Sequence, residues 1–221
     1  EGTPFNINTS ITHTQNTNTD KVDVTLPSLQ LNMDRIYPFA PRSGPKKNPI
    51  HNTGLTYNLN LQNRVSTTGE ELFSGDALEN AQSGLQQNLS MGTNLKAFKY
   101  FTISPNFNYT EVSYLKTIEK NWDSISEAVR TDTIQGFDSY REYSANVSAS
   151  TTFYGMVNFK KGRLRAIRHT VRPSIGYGYR PDFGKYYDEY QASLDPRYIR
   201  EYTRFEQGIY GGPSRGESNS V

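Results

Sequence analysis

A two-residue hydrophobic period, returning seven times, limits this chain to β-structure more tightly than any other feature. Phe5, Ile7, Thr9 and Ile11 alternate with Asn6, Asn8, Ser10 and Thr12. Past a polar turn at Asn16 to Asp20, Val22, Val24 and Leu26 continue the pattern; Leu29, Leu31 and Met33 carry it on the opposite parity. A slip of this kind at Pro27-Ser28 predicts a β-bulge, a place where proline is tolerated. The third run is Leu55, Tyr57, Leu59 and Leu61, and the fourth Leu89, Met91, Thr93 and Leu95. The fifth is Phe101, Ile103, Phe107 and Tyr109, and the sixth Tyr143, Ala145, Val147, Ala149 and Phe153. Ile167, Val171, Ile175, Tyr177 and Tyr179 make the seventh. Each run is close to the 9–11 residues of a tilted membrane-crossing strand. The intervening positions are Asn, Ser, Thr, Gln and Arg almost throughout.

Composition narrows the choice. Hydrophobic residues make up 34% of the chain, against roughly 45–50% in soluble domains. Aromatics nonetheless reach 13% and the net charge is only +2, a combination that disordered chains do not show. Mean hydropathy is −0.75, and no stretch approaches the ~20 apolar residues of a membrane helix. A helical membrane protein is therefore excluded, and an all-β chain with its apolar residues on alternate positions remains. The absence of cysteine rules out disulfide scaffolds and cysteine-based metal or redox sites. Both ends read as cut: the chain opens Glu1-Gly2-Thr3-Pro4, without Met or a signal pattern, and closes on a Gly-, Pro- and Ser-rich stretch from Gly211.

A sandwich would pack about seven strands into ~100 residues. Here they occupy most of 221 residues with long, unequal connections, which suits a transmembrane barrel with a lipid-facing band and a wet lumen. Alternating strand direction sorts the connections into two sets. Asp34 to Asn52, Lys96 to Tyr100 and Phe159 to Arg165 fall on one side, and the Asn16 turn, Arg64 to Gly84, Val112 to Arg141 and everything after Arg180 on the other. Two of the first set are tight and three of the second long, matching short periplasmic turns and long extracellular loops. Asp34 to Asn52 is long for a periplasmic turn. The first set is basic, with Arg35, Arg42, Lys46, Lys47, Lys96, Lys99, Lys160, Lys161, Arg163 and Arg165 against the single acid Asp34. Basic groups are favourable beside anionic headgroups. Leu72, Phe73, Ala77, Leu78 and Ala81 have roughly helical spacing, interrupted by Gly75, so 70–84 reads as a short helix or an irregular loop.

Catalytic signatures are missing. His13, His51 and His169 are isolated and have no ligand-type partners nearby. No nucleophile elbow, phosphate-binding loop or zinc-protease motif occurs. Gly176-Tyr177-Gly178 lacks the third glycine and helix of a dinucleotide fingerprint. Asp182, Asp188, Glu189, Asp195 and Glu201 have no spacing suited to calcium or glycoside hydrolysis, and read as a solvated loop. The N-x-[ST] triplets at Asn8, Asn88, Asn108 and Asn146 arise readily in Asn-rich strands. Aromatics share a face with Leu and Ile while the cations gather at one end, so no nucleic-acid stacking platform is expected. Neither an enzyme activity nor a cofactor or metal is expected.

Three stretches carry a family resemblance. One is Thr25-Leu26-Pro27-Ser28-Leu29-Gln30-Leu31 leading into Arg35-Ile36-Tyr37-Pro38-Phe39. Another is Tyr154-Gly155-Met156 followed by Phe159-Lys160-Lys161-Gly162. The last is Ile167-Arg168-His169-Thr170-Val171-Arg172-Pro173-Ser174 with Tyr179-Arg180-Pro181-Asp182-Phe183 after it. Together they resemble the barrel of the LptD family of outer-membrane lipopolysaccharide-assembly proteins, in its Bacteroidetes branch. The likeness runs from about Thr25 to Phe183. It implies a translocon in the outer membrane of a Gram-negative bacterium. Such a translocon receives lipopolysaccharide from a periplasmic bridge and releases it laterally into the outer leaflet, with an LptE-like lipoprotein plugging the lumen. It implies no catalytic residue. The family's upstream jelly-roll domain is missing here, and seven strands do not close a barrel of even count, so the chain reads as an interior piece of a barrel.

These readings assign residues 1–183 to partial-barrel strands and loops and 184–221 to an extracellular loop or tail. Ser104, Asn106, Asn108, Arg168 and Arg172 are the lumen-facing candidates, for contact with the plug or with sugars and phosphates. Phe101, Ile103, Phe107, Ile175, Tyr177 and Tyr179 are the candidates to meet membrane lipid. Two alternatives stay open: another outer-membrane barrel, such as a porin or protein-secretion channel, and a soluble β-sandwich that binds carbohydrate.

Overall fold

The computed structural model describes residues 2–45, 48–68, 70, 81–160 and 165–221. Most of the 70–84 stretch with helical spacing lies outside the described residues, as do Lys46, Lys47, Lys161 and Arg163 of the basic set. Regular structure among the described residues is β-strand, apart from 3-10 turns at Pro49–Asn52 and Gly184–Tyr186. The strands are β1 (Phe5–Asn16), β2 (Lys21–Ile36), β3 (Gly54–Thr68), β4 (Gln82–Gly92), β5 (Leu95–Ala97), β6 (Phe101–Asp123) and β7 (Ala128–Thr151). They are followed by β8 (Phe153–Asn158), β9 (Ala166–Val171), β10 (Ser174–Arg180), β11 (Tyr187–Gln191), β12 (Ile199–Thr203) and β13 (Ser218–Ser220).

One antiparallel sheet organises the molecule, in the order β1-β2-β3-β4-β6-β7-β10-β13, with β5 paired to the start of β6. From β1 to β4 every strand pairs with its sequence neighbour. Among the described residues the sheet is open, with β1 and β13 at its edges. β8–β9 and β11–β12 form separate two-stranded ribbons.

The register turns the sequence period into two chemically distinct faces. Across six strands, Phe5, Met33, Tyr57, Leu89, Tyr109 and Tyr143 stand opposite one another in one row. Leu55, Met91, Phe107, Ala145 and Tyr179 make the next row on that face. One residue along, on the other face, the row reads Asn6, Asn32, Asn58, Asn88, Thr110 and Glu142. The slip in β2 falls where the parity change placed it. Register shifts between Thr25 and Ser28 against both neighbours, at Leu26-Pro27, so Val24 and Leu29 share a face despite opposite parity.

Several sequence expectations change. Val112 to Arg141 is not a loop but the outer half of a hairpin: β6 and β7 stay paired to Asp123 and Ala128 around a four-residue turn. Its alternation is of Thr, Ile, Lys, Glu and Asn, which pair across strands as well as apolar residues do when the partner strand is held in register. The pairing absorbs one bulge, at positive-φ Gly136 beside Phe137. The fourth run divides, because β4 ends at Gly92 and Leu95 belongs to β5. The sixth breaks at Thr152 and the seventh at Arg172-Pro173, where proline has no amide hydrogen for the ladder.

The buried core is not sandwiched between two sheets. Val112, Tyr114, Tyr140 and Phe205 form the main cluster, with Tyr186, Ile209 and Tyr210 packed against it. Val112, Tyr114 and Tyr140 stand on the polar face. What buries them is the segment after Gly184, folded back over the sheet.

Candidate functional site

Backbone register builds the polar face as a lattice of amides and hydroxyls. Asn88 Nδ2 donates to Asn58 Oδ1 at 3.0 Å, and Thr110 Oγ1 donates to Asn88 Oδ1 at 2.8 Å. Ser90 Oγ donates to Asn108 Oδ1 at 2.8 Å, and Ser104 Oγ to Asn94 Oδ1 at 2.7 Å. Asn106 lies against Gly92, whose missing side chain leaves room for the Asn106 amide. Ser104, Asn106 and Asn108 are thus brought together on one face. Arg168 and Arg172 are not joined to them. Arg168 stands on the exposed β8–β9 ribbon, 5.0 Å from the centre of the Tyr154 ring, and Arg172 sits in the break before β10.

The six lipid-facing candidates all fall on the apolar face. Ile175 pairs with Ala149 and Ala149 with Ile103; Tyr179 pairs with Ala145 and Ala145 with Phe107. Tyr177 pairs with Val147, and Phe101 with Thr151 at the strand's start. Met91, Phe107, Ala145, Tyr177 and Tyr179 line a shallow groove of about 350 Å³. On β3 to β7 a polar margin follows the row of tyrosines. Tyr57 Oη donates to Gln87 Oε1 at 2.7 Å, Tyr109 Oη donates to Glu111 Oε2 at 3.1 Å, and Glu111 pairs with Arg141 at 3.0 Å. Aromatic rings with their hydroxyls turned to a polar row have the arrangement found at membrane–water boundaries.

The C-terminal segment caps the outer end of the polar face. Phe183 packs edge-on against Tyr143 on the apolar side, and three residues later the Arg141 amide donates to Tyr186 Oη at 3.0 Å. The chain therefore crosses the β7 edge just past the point where β10 stops pairing. Phe205 then inserts between Tyr114, Tyr140 and Tyr186, at centroid distances of 5.9, 5.1 and 6.2 Å. Tyr114 and Tyr140 both donate to the Gly211 carbonyl, at 2.8 and 3.1 Å, and the Tyr210 amide donates to Tyr114 Oη at 3.0 Å. Burial raises both phenols, Tyr114 to about 12 and Tyr140 further, so these hydroxyls stay protonated donors at neutral pH. They sit past the Glu111–Arg141 pair, beyond the apolar band. Tyr210 Oη reaches the Asn60 carbonyl at 3.0 Å, and the Ser214 amide reaches Glu142 Oε1 at 2.7 Å.

Close approach explains Gly208, where a Cβ would overlap the Tyr114 ring, and a left-handed φ of +72° explains Gly211. Gly208→Ala is expected to cost about 1–3 kcal/mol by overpacking, read as faster hydrogen exchange over 184–216 with the β2–β4 amides unchanged.

Four of the acidic residues of this segment, Asp182, Asp188, Asp195 and Glu201, are ion-paired, not free for chemistry. Asp182 and Glu201 both meet Arg215, at 3.4 and 2.6 Å, and Asp188 meets Arg204 at 3.4 Å. Arg197 bonds the Asp195 carboxylate and holds it below the usual carboxylate range. No cluster of His, Cys, Asp or Glu suited to a metal occurs among the described residues. Sequence reasoning missed the cap, although Tyr186, Tyr187, Tyr190, Tyr202, Phe205 and Tyr210 supplied a signal of packing in a stretch read as solvated loop.

Comparison with known proteins decides the family. The family model described as LptD protein matches residues 1–221. The chain belongs to the LptD protein family. LptD proteins are lipopolysaccharide-transport proteins of the Gram-negative outer membrane, and the family is one of transporters, not enzymes. The match extends past both ends of the Thr25 to Phe183 stretch that carries the resemblance, and it includes the C-terminal cap. Neither a curated protein nor a solved structure matches the chain. The polar lattice, its cap and the apolar face opposite are therefore features of an LptD-family sheet.

Proposed function

We propose that this sheet is part of the wall of a lipopolysaccharide translocon in the outer membrane, with the apolar face toward lipid and the asparagine-lined face toward an aqueous lumen. The observation that carries the reading is the division of the sheet into two faces, kept in register across β1 to β7 and β10, in a chain of the LptD family. On β6 the apolar band runs from Phe101 to Tyr109. That is about 30 Å of extended strand, or roughly 20–25 Å of height at a tilt near 40°, close to the ~25 Å band of outer-membrane barrels.

Apolar exposure on this scale argues against the soluble sandwich. On the paired strands β7 and β10, Tyr143, Val147, Ile175, Tyr177 and Tyr179 are all exposed on one face, and contiguous apolar patches of such extent mark membranes or partners. Open sheet edges are not tolerated in hydrocarbon, so the reading requires the free edge of β1, and that of β10 where β13 does not cover it, to pair with further strands. Lipopolysaccharide would travel along the polar face, and an LptE-like lipoprotein would occupy the part of the lumen that the C-terminal cap leaves uncovered.

The test is purification from outer membranes in detergent. Copurification of lipopolysaccharide and a small lipoprotein is expected. A detergent-free monomer carrying neither would remove the reading, and a detergent-dependent barrel that conducts ions without either would favour a porin.

A further inference from the structure

At the end of the polar face opposite the Phe205 cluster lies a cavity of about 510 Å³, lined by Arg35, Lys96, Asn48, Asn52, Asn94 and Thr102 among others. None of its lining residues is acidic, and neither Arg35 nor Lys96 forms an ion pair among the described residues. Asp34, the acid nearest in sequence, accepts from Asn6 Nδ2 at 3.3 Å instead. Two uncompensated cations therefore face a cavity otherwise rich in amide and hydroxyl groups.

The arginine is positioned by the fold. A second register shift in β2, between Met33 and Ile36, re-aims the strand at Asp34-Arg35. Gly54 and Gly92 are paired across β3 and β4, and the side chain of Arg35 lies in the space that Gly54 leaves open. A Cβ on Gly54 would overlap its guanidinium. Arg35 Nη2 donates to the Gly92 carbonyl at 3.3 Å, and the guanidinium carbon lies 5.7 Å from the centre of the Tyr37 ring. Other donors of the guanidinium fork remain for a ligand. Lys96 is held on the same face by β5, where it pairs with Thr102. The long Asp34 to Asn52 connection, out of proportion for a turn, supplies the far wall through Asn48 and Asn52.

We propose that this cavity binds a phosphate group, with Arg35 as the bidentate donor, Lys96 as the point charge and the asparagine amides completing the shell. Taking the phosphate to be that of a phosphorylated glycolipid rests on the translocon reading; the anion site itself does not. Ser104 and Asn106 adjoin the cavity through Asn94 and Gly92, so a headgroup released from it passes directly onto the polar lattice.

The experiment titrates the whole detergent-solubilised chain with inorganic phosphate, with a phosphorylated glycolipid and with the same lipid dephosphorylated, at two ionic strengths. Wild type is expected to bind the phosphorylated lipid at least tenfold tighter than the dephosphorylated one, and less tightly at high salt. Arg35→Gln and Lys96→Gln are each expected to lose roughly tenfold in affinity, as the loss of one charge-assisted hydrogen bond predicts. Gly54→Ala keeps every charge but displaces Arg35, and is expected to lose affinity as Arg35→Gln does. Arg130→Gln, at the far hairpin tip, removes a charge elsewhere and is expected to bind as wild type. Circular dichroism confirms the fold of each variant. Equal affinity in Arg35→Gln and wild type overturns the site, as does indifference to dephosphorylation or absence of binding by all ligands. Variant-sensitive binding of inorganic phosphate without the glycolipid upholds the anion site and counts against the translocon source.

Discussion

Ile175→Arg is expected to destabilise the protein folded in lipid vesicles by up to about 2–4 kcal/mol, while Ser174→Arg, one residue away, is expected to cost less than about 1 kcal/mol. The two positions share a strand, a sheet depth and nearly the same backbone environment. Ser174 pairs with Ser150 on the polar face, and Ile175 pairs with Ala149 on the apolar one. Ile175 is 65% exposed in the isolated chain, so a soluble protein would accept Arg there at little cost. A bilayer would not, because the guanidinium would lie in hydrocarbon. Reversible urea unfolding in vesicles measures both variants, and equal costs at the two positions would contradict the orientation.

Phe205→Ala is expected to cost about 3–5 kcal/mol, the range for a large aromatic removed from a packed site. Its side chain is 1% exposed and touches three tyrosines. The loss should be local. β1 to β4 make no ring contact with Phe205, so their amides are expected to keep their protection while 184–216 exchanges freely. Limited proteolysis is expected to cut the variant within that segment and leave β2 to β4 whole. An uncut cap, or collapse of the whole sheet, would contradict a cap seated on an otherwise self-supporting wall.

The sheet itself was legible because its determinant is local. Alternation of Leu, Tyr and Ile with Asn and Thr fixes which way each side chain points whatever the neighbouring strand is, and even the bulge at Leu26-Pro27 left its trace as a change of parity. The outer halves of β6 and β7 were not legible, because Val112 and Tyr114 interrupt a polar face with apolar residues. Their reason for being there is Phe205, about ninety residues away in sequence, and no periodicity reports a partner at that distance. The same holds for the phosphate cavity. The basic character of Arg35 and Lys96 was plain in the sequence, but that Gly54 opens a space for Arg35 beside the Gly92 carbonyl depends on the pairing of β3 with β4. Ser104, Asn106 and Asn108 came together because parity alone placed them, whereas Arg168 and Arg172 lay beyond a break that proline makes in the ladder.

The most direct measurement of the account uses the absence of native cysteine. Single substitutions Phe101→Cys, Ile103→Cys and Phe107→Cys on one parity, and Ser104→Cys, Asn106→Cys and Asn108→Cys on the other, place a thiol at successive positions of one strand. In vesicles, a water-soluble maleimide is expected to label positions 104, 106 and 108, while a lipid-borne quencher reaches a fluorophore only at 101, 103 and 107. Labelling without a two-residue period, or with the two sets exchanged, would contradict a wall with lipid on its apolar face and water on its asparagine face.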